Sequence, residues 1–197
     1  MTMEDIARDM SLHSVGDEKK SIQDLRTCVS IHTTTLSSTT STEVLGQLPN
    51  HDIVRLHCAF HGFSDTLNPS NSHLILQDTG IAVETVVRKK AASAQPAYLF
   101  AWPTAYFKDP HLGDEGIHIA SSFQLAGFTH VIGTLWETEA ETCQVFTKKF
   151  YEQLFAKERE WSGTWHVNKA LSHAVSQLRS MERQLPLLWA PFVCIGR

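Results

Sequence analysis

Asp52-Ile-Val-Arg-Leu-His-Cys-Ala-Phe-His-Gly-Phe-Ser-Asp65 is the stretch on which the fold turns. Its first seven residues are apolar and β-branched enough for a strand that ends at Ala59-Phe60-His61-Gly62. Turn-forming polar residues from Ser64 to Ser72 follow it. In an open α/β sheet the ligand crevice lies outside the strand C-termini, so a histidine there can do chemistry. A plainer reading is equally available: Gly62 makes a tight turn and His61 merely precedes it. The residues alone leave both open.

Working outward, five more strands are expected, at Cys28–Thr34, His73–Gln77, Ala97–Trp102, His130–Trp136 and Trp189–Ile195. Helical spacing lies between them. Ile22 and Leu25 mark a short helix over Asp17–Arg26. Thr40-Ser-Thr-Glu43 has capping-box spacing ahead of Val44, Leu45 and Leu48, and Pro49-Asn50 closes that helix. Ile81–Ala92 reads as helix. Another opens near Gly113-Asp114-Glu115, carries Ile119, Ala120 and Phe123 on one face, and stops at Gly127. Thr138-Glu-Ala-Glu141 is a second capping box, starting a long helix with Cys143, Phe146, Phe150 and Leu154 inside. The last helix carries Val167, Ala170, Leu171, Ala174, Leu178 and Met181, with Pro186 at its limit. Strands alternating with helices predict a mainly parallel sheet covered on both faces. One α/β domain over residues 17–197 is expected, with residues 1–16 a disordered or truncated segment.

The chain has 197 residues, with Lys+Arg 17 against Asp+Glu 21, and 17 − 21 gives −4. It is 42% hydrophobic and 19% charged, a balance that excludes intrinsic disorder. Nucleic acid is not an expected partner, because the densest basic run is Arg88-Lys89-Lys90. No apolar run reaches the roughly 18 residues of a membrane helix, and the first residues lack a signal-peptide pattern. An intracellular, cytoplasmic protein is expected. Cys28, Cys58, Cys143 and Cys194 form no CxxC pair and read as buried thiols. Phosphate-loop and dinucleotide glycine motifs are missing, and no cofactor is expected. His57, Cys58 and His61 do not make a metal site, because alternation turns 58 away from the other two. Glu115-x-x-His118 shares one helical face but lacks the further ligands of a di-iron site.

Four segments carry a family resemblance. They are Asp52–Asp65; Asn68-Pro-Ser with Ser72-His-Leu-Ile-Leu-Gln-Asp78; the run from Asp114 to Trp136; and Leu188-Trp-Ala-Pro-Phe192. Together they resemble the CHAT domain, a caspase-like peptidase domain often associated with tetratricopeptide repeats, over roughly Glu18 to Gly196. The resemblance implies a three-layer α/β/α sandwich of the caspase and separase clan, with a mainly parallel six-stranded sheet and an antiparallel last strand. It also implies a Cys–His dyad whose histidine precedes a glycine, as His61-Gly62 does.

The family's nucleophile ends the next strand in a pattern like Tyr-Leu-Ser-Ala-Cys-x-Thr-Ala. This chain reads Tyr98-Leu-Phe-Ala-Trp-Pro-Thr-Ala105, so Trp102 stands at the nucleophile's position. An indole offers an N–H donor and no thiolate. His61 as a remnant base and the backbone N–H of Gly62 in an oxyanion hole remain the expected site residues. The expected function is a degenerate CHAT domain, a pseudo-peptidase or interaction module taking a protein or peptide in the old cleft. One alternative is an active cysteine endopeptidase with His61 as general base and a misplaced nucleophile. Cys58 is the nearest candidate, roughly 10 Å from His61 along an extended strand and on its opposite face. Another alternative is a truncated piece of a larger repeat- or sensor-containing protein.

Overall fold

The computed structural model describes residues 20, 22–24, 36, 40–47, 54–59, 62–63, 73–76, 78, 80–88, 94–100, 119–136, 138–156, 165–181, 183 and 185–196. They fall into two compact units. The first, Thr34–Glu137 with Pro191–Arg197, holds all the described strands. Its elements are α1 (Ser41–Gln47), β1 (Val54–Ala59), β2 (Gly62–Phe63), β3 (His73–Leu74), β4 (Ile81–Ala82), α2 (Val83–Arg88), β5 (Ala94–Phe100), α3 (Ile119–Leu125) and β6 (His130–Thr134). The second unit contributes α4 (Ala140–Phe155), α5 (Trp165–Met181) and α6 (Pro186–Trp189), after which β7 (Phe192–Gly196) returns to the first.

The protein is α/β with mixed sheets. The main sheet has the order β1-β5-β6-β7, with β1, β5 and β6 parallel and β7 antiparallel to β6. Six strands were expected in one sheet, and the described residues place four there. The expected strand at His73–Gln77 is only His73–Leu74, and it belongs to a separate antiparallel sheet, β2-β3-β4. That hairpin also claims Ile81 and Ala82, so the helix expected from Ile81 begins at Val83. The strand expected at 28–34 lies outside the described residues, as do residues 1–16; residues 20 and 22–24 are helical.

One sheet face carries Ala97, Leu99, Val131 and Ile195, packed in a core with Val44 of α1, Val86 of α2, and Ala120 and Phe123 of α3. Alternation along the strands gives this set, and all five residues of β6 are buried. The turn after α3 explains its stop. Phe128 N–H bonds the Phe123 carbonyl at 3.1 Å and Gly127 N–H the Gln124 carbonyl at 2.9 Å. This double bond pattern needs a left-handed residue, and Gly127 supplies it with φ 112. The rings of Phe123 and Phe128 meet edge-on across the turn, 5.6 Å between centroids.

In the second unit α4 packs on α5, burying Phe146, Phe150 and Leu154 of one and Val167, Ala170, Ala174 and Leu178 of the other. Met181, expected inside, is exposed, one turn beyond the buried stripe. The cap expected at Thr138 is displaced to its neighbour. α4 starts at Ala140, one residue later than a Thr138 cap would set it, and Glu139 as N-cap makes no side-chain cap bond. Trp189, expected to open the last strand, sits in α6. Pro186 takes the first-turn position that suits its fixed φ, and Arg179 lies 5.3 Å over the Trp189 ring. Among the described residues no helix is long and apolar enough to cross a membrane.

Candidate active site

Parallel pairing sets β1 and β5 level with each other. Leu56, His57, Cys58 and Ala59 stand opposite Ala97, Tyr98, Leu99 and Phe100 in unbroken register. Both strands therefore end on the same sheet edge, the C-terminal edge where α/β folds place their crevice. His61 and Trp102 each come two residues after the last level pair, Ala59 and Phe100. Both lie outside the described residues. What the described strands fix is the level register of the residues that precede them.

Gly62 is described. It opens β2 and pairs with Leu74 across the small antiparallel sheet, so by Gly62 the chain has left the main sheet. Phe63 pairs with His73. The hairpin that holds Gly62 is itself anchored. Asp78, in the turn between β3 and β4, accepts the Ser41 backbone N–H at 2.9 Å and the Ser41 hydroxyl at 2.6 Å on Oδ2. Its Oδ1 accepts the Gly80 N–H at 3.3 Å. The Ser41 hydroxyl, and then the Ser41 backbone N–H, hold the Asp78 carboxyl below the usual carboxylate range. Sequence reasoning missed this anchor: its partners are 37 residues apart and no local pattern joins them.

Beneath the strand ends, the rings of His57 and Tyr98 stack in parallel at 4.7 Å and 9°. Tyr98 is buried and His57 half-buried. The register continues this row across the sheet, from Tyr98 to Ile132 and from Ile132 to Cys194. The pair could have been found only by aligning two strands 41 residues apart.

The thiols divide by place. Cys58 is level with Leu99, a residue of the helix-covered core, and so out of phase with His57. Cys194 lies in β7, where burial pushes its thiol up to about 11 and keeps it protonated at neutral pH. Cys143 is buried in α4, in the other unit. Both are free cysteines, while Cys28 lies outside the described residues. Among the described residues no group of three His, Cys, Asp or Glu side chains is placed to hold a metal ion.

Comparison with known proteins places this edge in context. The family model of the CHAT domain matches residues 5–197. No curated protein matches the chain. A family match over that span, with parallel β1 and β5 ending level before His61-Gly62 and Trp102, settles the family: the chain belongs to the CHAT domain family.

Proposed function

We propose that this is a CHAT domain that keeps a caspase-like frame and has lost peptide hydrolysis, acting as an interaction module for a protein or peptide in the former substrate cleft. The observation that carries the reading is Trp102 at the position where the family pattern has its nucleophilic cysteine, beside an intact His61-Gly62. Covalent catalysis needs a thiolate, and the indole has neither a nucleophilic sulfur nor a proton for His61 to take up productively. His61 and the Gly62 N–H retain the general base and an oxyanion donor, which without a nucleophile leave at most weak catalysis. Trp102 fills the cleft as an apolar plug and narrows water's access to His61.

The frame is the three-layer α/β/α sandwich of the caspase clan, with the strand expected at 28–34 added to the four described. It works as one domain over residues 17–197, inside the cell. The level register of β1 and β5 supports the pairing of positions 61 and 102. The sequence spacing argues against Cys58 as a substitute nucleophile, since three residues along an extended strand turn it to the face opposite His61.

The test is peptide-library hydrolysis by the wild type, Trp102→Cys, and Trp102→Cys with His61→Ala. A silent wild type, cleavage by the single variant and loss in the double variant are expected. Cleavage by the wild type that requires His61 would overturn the reading.

A further inference from the structure

We propose that His130 is a proton-operated latch: while neutral it holds the end of β7 against the start of β6, and its protonation opens that end. His130 is the first residue of β6 and pairs with Gly196, the last residue of β7. The two differ in exposure, the histidine being 1% exposed and Gly196 open to solvent. The glycine lies directly on the backbone entering β6. A Cβ added to it would collide with the Thr129 carbonyl and stand 2.9 Å from the His130 Cα. The ring is poorly prepared for charge. Its Nδ1 bonds the Thr129 hydroxyl at 3.1 Å, while Nε2 is buried with no partner among the described residues. A neutral imidazole leaves one nitrogen unmatched there, whereas an imidazolium brings a buried charge and two N–H donors to one acceptor. Among the described residues, the elements that pack on β6 supply no counter-charge. α3 carries no titratable side chain. β5 brings Tyr98 and β7 brings Cys194, both level with Ile132 rather than with His130, and neither is a carboxylate. Burial lowers the pKa of the ring. Protons therefore favour the open end, where the ring is hydrated. With an ordinary value of about 6.5 when open and no protonation when closed, the opening constant grows by about tenfold between pH 7.5 and 5.5.

A latch differs from a general loss of stability in what it frees: β7 separates while β5 stays paired. The measurement is amide hydrogen exchange by NMR at pH 7.5 and 5.5, corrected for intrinsic rates and repeated in urea below the unfolding transition. The β7 amides are expected to open about tenfold more at pH 5.5, by a step that urea does not promote. Tyr98 and Leu99 of β5 should stay more protected than β7 at both pH values. His130→Gln and His130→Phe, whose side chains take no proton in this range, should abolish the tenfold rise; either decides the matter if the other does not fold. A wild type without the rise, or an equal rise in a folded variant, would overturn the proposal. So would β7 and β5 amides that exchange together with the same urea dependence, because protonation would then act only through unfolding of the whole. None of these results touches the reading of Trp102, which the hydrolysis panel tests without His130.

Discussion

Replacing Gly80 with alanine tests the hairpin beside the candidate site, and its cost can be worked from two separate terms. The residue has φ 78, where a side chain costs roughly 1–2 kcal/mol. The new Cβ would also collide with the Leu74 carbonyl and come within 3.0 Å of the His73 ring. The carbonyl is backbone in a paired strand, so relief requires the turn to shift, an overpacking cost of about 1–3 kcal/mol. The sum is about 2–5 kcal/mol. At roughly 2–4 °C per kcal/mol for a chain of this size, the thermal midpoint should fall by about 4–20 °C. Gly46→Ala is the control. It lies in α1 with nothing within 4 Å of its added Cβ, and exchanging glycine for alanine inside a helix gains about 0.5–1 kcal/mol. Circular dichroism melts of both variants would show one midpoint falling and the other holding or rising. A Gly80→Ala melt within 2 °C or so of wild type would refute the argument from backbone and contact.

Other expectations follow from buried groups. Burial lowers the pKa of His130, which is buried at the start of β6. The unfolded histidine takes a proton below its ordinary value of about 6.5 while the folded one resists. Stability should therefore be lost as pH falls from 7.5 to 5.5, and part of that loss should vanish in a folded His130→Gln variant; equal pH dependence in both would remove the argument. Iodoacetamide labelling at pH 7, read residue by residue by mass spectrometry, should leave Cys143 and Cys194 unmodified until denaturant is added, because one is buried and the other is held protonated. Phe150→Ala removes a buried ring stacked near Phe146 and edge-on to Tyr151, and should cost about 3–5 kcal/mol in urea unfolding; a loss below about 1 kcal/mol would show that α4 is not packed as described.

What the sequence revealed and what it hid divide by distance along the chain. The Thr40–Glu43 box is local, and it forms: Glu43 Oε2 accepts the Thr40 N–H at 2.9 Å and the Thr40 hydroxyl at 3.0 Å. Gly127 ends α3 as its conformational freedom predicts, and β6 is buried on both faces as its unbroken apolar run predicts. The antiparallel last strand, implied by the family resemblance, is present as β7. Thr138–Glu141 has the same local pattern as Thr40–Glu43, yet the N-cap position there is Glu139, one residue later. Pro186 pulled Trp189 into a helix that apolar content alone reads as strand. The separate β2-β3-β4 sheet, the Ser41–Asp78 anchor and the His57–Tyr98 stack depend on pairings between distant segments, which periodicity does not encode.

At the site, the order of residues was legible and the register of the strands before them was not. His61-Gly62 and Trp102 stand out by comparison with a family pattern. The level register of β1 and β5 needed the strands.

The central claim, that Trp102 stands where His61 once activated a thiol, is tested most directly by the reactivity of the thiol in Trp102→Cys. A small alkylating agent makes the measurement independent of any peptide preference. The rate at pH 6–7, followed at that position by mass spectrometry, should exceed that of the same thiol in the denatured chain, because a neighbouring imidazole favours the thiolate. Adding His61→Ala should return the rate to the denatured value. A rate that is the same with and without His61, in folded protein, would contradict the account.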